Sequence, residues 1–171
     1  MLGRSVAAIF AGLVLAALGG CGFTPLYATQ TASGPMSVDL AAIRVAPIPD
    51  RLGQYVRNNL IDLLNPQGEP QTPAYRLIVR LSEDREGLAI ERDTSITRYN
   101  YTLIAHYELR DATDHVVESG KARAIAAYNV VSSQFATLAA ENDAQMRASR
   151  EVAETIRLRL AAGFNRRAGQ R

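Results

Sequence analysis

The longest run of period-two alternation does most to limit what this chain can become. Between Thr94 and Arg110, Tyr99, Tyr101, Leu103, Ala105, Tyr107 and Leu109 share one side of an extended backbone. Arg98, Asn100, Thr102, Ile104, His106 and Glu108 share the other. A helix would scatter both sets around its circumference, so the segment is committed to a strand with one buried face. Its backbone groups need partners, and two neighbouring segments offer them. Tyr75, Leu77, Val79 and Leu81 alternate with Arg76, Ile78, Arg80 and Ser82. Residues 115–130 return with Ala122, Ala124, Ala126 and Tyr128 on one face, after the turn-forming "RDATDH". Between the first two strands, "EDREGLAIERD" at 83–93 is charged and contains Gly87, which predicts a loop or a frayed hairpin end. Gly120 predicts a bulge.

Helical spacing brackets this meander. After a short apolar run closed by Pro47 and Pro49, with a buried strand expected near 40–46, Asp50 stands as an N-cap candidate before "RLGQYVRNNLIDLL". Leu52, Tyr55, Val56, Leu60, Leu63 and Leu64 recur there at helical intervals, and Gly53 weakens the first turn. The Pro-rich "NPQGEPQTP" ends that helix. A second, longer helix follows the last strand, capped by Ser132 or Ser133. Its expected apolar stripe is Phe135, Leu138, Ala139, Met146, Val152, Ile156 and Leu160, and Gly163 is expected to end it before a basic tail at 165–171. The order β-α-β-β-β-α predicts an α+β fold: a small, mostly antiparallel sheet of about four strands with two helices packed on one face. The first strand is expected to pair in parallel through the first helix.

The N-terminus has a different character. Arg4 is the lone charge of a short head, "VAAIFAGLVLAAL" is almost unbroken apolar sequence, and Gly19-Gly20 leads to Cys21, the only cysteine. Head, apolar body and small residues predict a secretory leader at 1–20, the alternative being an uncleaved anchor. A lone cysteine in an exported chain cannot close an internal disulfide. Its setting resembles a bacterial lipobox. That resemblance implies a diacylglycerol on the Cys21 thiol, cleavage before it and acylation of the new amine. Gly22, in place of an aspartate, points by the same resemblance to the outer membrane. Residues 21–37, rich in Gly, Ser, Thr and Pro, are expected to tether the lipid to a domain at 38–164.

A formal net charge of +2 speaks against a nucleic-acid partner, which is usually met by a gathered basic excess. No Gly-rich phosphate loop, nucleophile elbow or clustered Cys/His set occurs in the sequence, so neither an enzyme nor a metal or diffusible cofactor is expected. Two patterns ask for an explanation. Tyr75, Tyr99, Tyr101, Tyr107 and Tyr128 form a band on the strands, suited either to core or to an interface. Arg80, Arg85, Arg92 and Arg98 gather around the first hairpin, with Lys121 and Arg123 on the strand expected beside it. Such cations either grip anionic phosphates or form a solvated face paired with Glu83, Glu86 and Glu91.

Four stretches together resemble the LptE family of lipopolysaccharide-assembly lipoproteins, in its alphaproteobacterial form. They are "GCGFTPLYA" at 20–28, "IRVAPIPDRLGQYVRNNL" at 43–60, "YRLIVRLSEDREGLAIERDTSITRYN" at 75–100 and "YNVVSSQFATLAAENDAQMRASREVAETIRLRL" at 128–160. The resemblance implies an outer-membrane lipoprotein, periplasm-facing and seated as a plug in the lumen of the LptD β-barrel. It would assist barrel folding and bind lipopolysaccharide. It also implies lipid binding by a basic residue at the hairpin tip. Arg92 fits that position best, with Arg85 and Arg98 near it and Lys121 and Arg123 as further candidates. The family's second basic contributor, near the start of the last helix, has no counterpart in "QFATLAAEN". The alternative is an auxiliary lipoprotein of a lipid-trafficking ABC transporter.

Overall fold

The computed structural model describes residues 39–90 and 96–169. Strand β1 (Ile43–Val45) leads to helix α1 (Asp50–Leu64), then to β2 (Tyr75–Ile90), β3 (Ile96–Asp111), β4 (Val116–Asn129) and helix α2 (Gln134–Ala168). The sheet order is β1-β2-β3-β4, with β1 parallel to β2 and the other pairs antiparallel. This is the α+β architecture expected from the alternation.

Burial follows the period. Leu77, Val79, Tyr101, Leu103, Ala105, Tyr107, Leu109, Ala122, Ala124, Ala126 and Tyr128 all lie on the helix-facing side. Register matches large to small across it: Tyr101 stands opposite Ala126, Leu103 opposite Ala124. The alanines of β4 leave room for α2, which answers with its own small residues, Ala144, Ala148, Ser149 and Ala153. Helix α1 packs beside α2 on the same side and completes the core with Val56, Leu60 and Leu64. The tyrosine band is therefore mostly core. Tyr75 meets Phe164 edge-on at 5.2 Å, and Tyr99 stacks on Tyr128 at 5.7 Å.

Several local expectations need correction. The charged segment after Ser82 is not a loop: β2 runs on to Ile90, because β3 supplies ladder hydrogen bonds whatever the side chains are. The register shifts lie between Gly87 and Ile90 of β2 and, in the β3–β4 pair, between Leu109 and Arg110 where Val117 is passed over, not at Gly120. Gly120 serves a different need. A Cβ there would sit 2.6 Å from the Tyr107 hydroxyl, so the missing side chain is the space the buried ring occupies. Strand β1 is shorter than residues 40–46, because residues 39–41 are helical. Asp50 is not the cap of α1: Pro49 holds that position without a side-chain cap, and Asp50 is the first helical residue, with φ of 67°. Its carboxylate still lies where the helix dipole favours an anion. Gly53 is buried, and a Cβ would meet the Ile48 carbonyl oxygen at 2.7 Å.

Helix α2 departs most. Ser133 caps it, accepting from the Ala136 N–H at 3.4 Å. The helix does not end at Gly163, which is buried against Glu118, and residues 165–168 are helix rather than tail. Its buried stripe steps through Ala144, Ala148, Val152, Ile156, Leu160 and Phe164. Steps of four on a 3.6-residue turn rotate the stripe by about 40° each. Phe135, Leu138, Ala139 and Met146 fall off it and are exposed.

Candidate functional site

The two faces of the sheet divide the candidate cations between them. Odd-numbered residues of β2 from Tyr75 to Arg85 and of β3 from Tyr99 to Leu109, and even-numbered residues of β4 from Ala122 onward, turn toward the helices. Arg85 therefore lies on the helix side. Arg80, Arg98, Lys121 and Arg123 lie on the open side, and all four are exposed.

Arg85 is committed to a structural cluster. Its Nη2 is 2.8 Å from Glu141 Oε1 on α2 and 3.6 Å from Glu83 Oε2. Its guanidinium carbon stands 5.9 Å from the centre of the Tyr101 ring. The Tyr101 hydroxyl donates to Glu83 Oε2 at 3.0 Å. Burial, and next that hydrogen bond, push the Tyr101 phenol well above its ordinary value. Nearby, burial also raises Tyr128. The hairpin is thus fastened to α2 by the Arg85–Glu141 ion pair, and its two strands to each other by the Tyr101–Glu83 hydrogen bond.

At the other end of the sheet the ion pairs form a chain. Glu108 lies 2.8 Å from Arg110 and 3.3 Å from Arg80, and Arg110 lies 3.0 Å from Asp114, which also pairs with Arg76. Glu118 receives Arg167 at 2.9 Å and Arg166 at 3.2 Å from the end of α2. Hydrogen bonds from Arg110 and Arg76 hold the Glu108 and Asp114 carboxyls below the usual range. These groups lock the β3–β4 turn and the helix terminus in place.

On the open side, Arg98 stands opposite Asn129, Lys121 opposite His106, and Arg123 opposite Ile104. The structure thus brings Lys121 and Arg123 together and separates both from Arg85. Arg92, Cys21, the leader at 1–20 and the tether at 21–37 lie outside the described residues. The sequence reading missed an apolar patch at the start of α2. Phe135 is 83% exposed there, with Leu138 three residues on and Val131 just before the helix. The four-residue step of small residues in α2 is the signal that identifies it. Among the described residues, no group of three or more His, Cys, Asp and Glu could hold a metal ion, and no helix is long and apolar enough to cross a membrane.

The sheet with two helices on one side, its charged open face and its anchored hairpin define the class: a small α+β domain of the kind found in bacterial lipoproteins. Similar structures include a candidate lipoprotein from Caulobacter crescentus CB15, with 25% identity and a TM-score of 0.67, covering 81% of this chain and 98% of that one. A minor lipoprotein from Acinetobacter baumannii shares the fold at 16% identity and a TM-score of 0.56, over 71% of this chain and 93% of its own. So does the rare lipoprotein B from Shewanella oneidensis, at 12% identity and a TM-score of 0.57, over 72% of this chain and 95% of its own. No curated protein sequence matches the chain significantly. The family profile described as LptE, lipopolysaccharide-assembly, matches residues 37–160. The chain belongs to the LptE family.

Proposed function

We propose that the protein is a lipid-anchored component of the outer membrane that fills the lumen of an LptD-type β-barrel, helps that barrel fold, and binds lipopolysaccharide on its way to the outer leaflet. The family match across nearly the whole domain carries this reading. A plug must be compact and must present a polar surface to a polar barrel interior. A sheet with one packed face and one charged face supports both requirements.

In this reading Cys21 carries the diacylglycerol and acyl chains, and residues 21–37 link them to the domain. Lipopolysaccharide is met by Arg92, the best match to the family's basic position, with Arg98 near it and Lys121 and Arg123 as further candidates. Guanidinium forks match phosphate oxygens and compete there with divalent cations. Arg85 is left out of this set because Glu141 holds it. Replacing Arg92 and Arg98 by Glu is expected to weaken lipopolysaccharide binding and leave the melting temperature unchanged. Unchanged affinity at low salt would exclude the tip as the lipid site.

The deciding experiment is a detergent pull-down of the tagged, lipidated protein from outer membranes, with mass spectrometry of its partners. A stoichiometric large barrel is the expected result. Recovery with an inner-membrane ATPase complex instead would overturn the plug reading and favour an auxiliary lipoprotein of a lipid-trafficking ABC transporter.

A further inference from the structure

The two edges of the sheet are treated differently. At β4, three arginines of α2 close the outer side. Arg147 donates to the Ala127 carbonyl at 3.2 Å, Arg159 to that of Lys121 and Arg167 to that of Val117. Edge carbonyls answered in this way no longer offer a template to another strand. At the other edge, β1 pairs only with Tyr75, Arg76 and Leu77, while β2 runs on to Ile90. Pro47 and Pro49 follow β1, and a proline has no N–H to extend the ladder. The covered part of β2 fixes the direction of the rest. The Tyr75 N–H donates to the Ala42 carbonyl at 3.2 Å, and the Leu77 carbonyl accepts from Ala46 at 2.9 Å. Backbone direction alternates along a strand, so Val79, Leu81, Glu83, Arg85 and Gly87 turn their N–H and C=O groups to the same outer side. Among the described residues, no strand or side chain pairs with these groups. Every residue from Ser82 to Gly87 is exposed.

A cavity of about 200 Å³ lies beside this edge, between the link from β1 to α1 and the strand itself. Ile48, Pro49, Val79 and Leu81 give it an apolar wall, and Asp50 and Arg80 a polar one. An apolar cavity of about 150 Å³ holds a benzene ring, so this one has room for a leucine or phenylalanine side chain. Farther along, Asp84 and Glu86 share the open face, and among the described residues neither forms an ion pair.

We propose that the outer edge of β2, from Val79 to Gly87, takes an extended polypeptide segment as a fifth strand of the sheet. The edge itself states the chemistry of its partner. Its N–H and C=O groups alternate, and another backbone carries both at the same interval. An acyl chain has neither, and a phosphate head group brings acceptors without the matching donors. Main-chain bonds supply affinity in such strand addition, and pockets for alternate side chains supply specificity. The segment therefore carries an apolar side chain for the cavity at Val79 and Leu81 and a basic one for Asp84 and Glu86. At roughly 3.3 Å per residue these two points lie about 16 Å apart along the strand. The inference goes beyond the plug reading and does not depend on it.

The test presents the full chain in detergent to a displayed library of random twelve-residue peptides. Selected peptides are expected to be rich in β-branched and aromatic residues, with Lys or Arg about five positions from an apolar anchor. Bound peptide should slow amide hydrogen exchange at least ten-fold at Leu81, Glu83 and Arg85. Exchange at Ser82 and Asp84, whose N–H groups face β3, should not change. Methylating alternate amide nitrogens of the peptide should cost at least ten-fold in affinity in one register and little in the other. Asp84→Lys combined with Glu86→Lys should weaken binding about ten-fold at an unchanged melting temperature. Asp84→Ala with Glu86→Ala should give a several-fold loss, and it decides the matter if the Lys variant melts early. A library that yields no binder overturns the proposal. So does a binder that protects the start of α2 in place of β2, one that tolerates methylation in both registers, or one indifferent to Asp84 and Glu86. Failure of the plug reading shows in the barrel pull-down and leaves this measurement unaffected.

Discussion

Arg85 on β2 and Glu141 on α2 meet at 2.8 Å with the Tyr101 ring beneath the guanidinium, so one side chain ties the hairpin to the helix layer. Arg98 stands on the opposite face of the same hairpin and faces solvent. The two arginines look interchangeable in a string of basic residues, yet they do different work.

That difference is measurable by urea denaturation of single variants. Arg85→Ala is expected to cost about 1 kcal/mol, a partly exposed ion pair and a cation–π contact each contributing less than that. Arg98→Ala should stay within about 0.5 kcal/mol of the wild type, as surface substitutions usually do. Equal losses at the two positions would contradict the division of the cations between faces.

Helix α2 gives a second contrast. Ile156 is fully buried on the four-residue stripe, whereas Phe135 and Leu138 project from the surface. Ile156→Ala should cost about 2–5 kcal/mol through lost burial and a residual cavity. Ala148→Leu should cost about 1–3 kcal/mol by overfilling the narrow space under β4. Phe135→Ser with Leu138→Ser should leave the denaturation midpoint almost unmoved and reduce self-association at high concentration, because it removes an exposed apolar patch.

These positions explain what was legible in the sequence. Strand faces were plain because Tyr99 to Leu109 alternate large apolar with polar residues, and a single register satisfies them. The stripe of α2 was not, because its first half is written in alanine and serine. Ala144, Ala148 and Ser149 carry little hydrophobic signal, and their burial follows from Ala122, Ala124 and Ala126 on a strand that pairs only in three dimensions. The continuation of β2 past Ser82 was hidden for a related reason: Glu83, Asp84, Arg85 and Glu86 are exposed, and ladder pairing alone makes them a strand. The basic character of the candidate surface was visible as composition. Which cations share a face was not, since Arg85 differs from Arg80 and Arg98 only by parity along the strand.

Alkaline pH tests the buried hydroxyls. The phenols of Tyr101, Tyr107 and Tyr128 are all raised above 10.0, first by burial. A raised value in the folded state means that the neutral form is favoured there. Its contribution to stability is therefore complete below pH 10.0 and is lost as pH rises through the folded values. Tyrosinate absorbance should thus develop in two stages on titration, the later one coinciding with loss of tertiary structure. Tyr101→Phe should lessen the alkaline loss of stability. A single transition near pH 10.0 for all seven tyrosines would show that the ring environments are open.

Cys21 stands apart from all of this packing argument, and its prediction depends on chain chemistry alone. Each acyl methylene withdrawn from water contributes about 0.8 kcal/mol to membrane binding. One chain holds a protein marginally; two or more hold it stably. On the proposed lipidation, replacing Cys21 by Ser removes the thiol that would take the diacylglycerol and should block the maturation that depends on it. Incorporation of labelled palmitate should then fall to background, and the protein should no longer be processed to the lipidated form. Anchoring and barrel engagement separate in the same experiment. A chain with a cleavable, non-lipid leader in place of residues 1–20 and Ser at 21 should float free of membranes lacking the barrel and still be retained where the barrel is abundant. Retention that follows the lipid and ignores the barrel would show that the domain contributes no docking of its own.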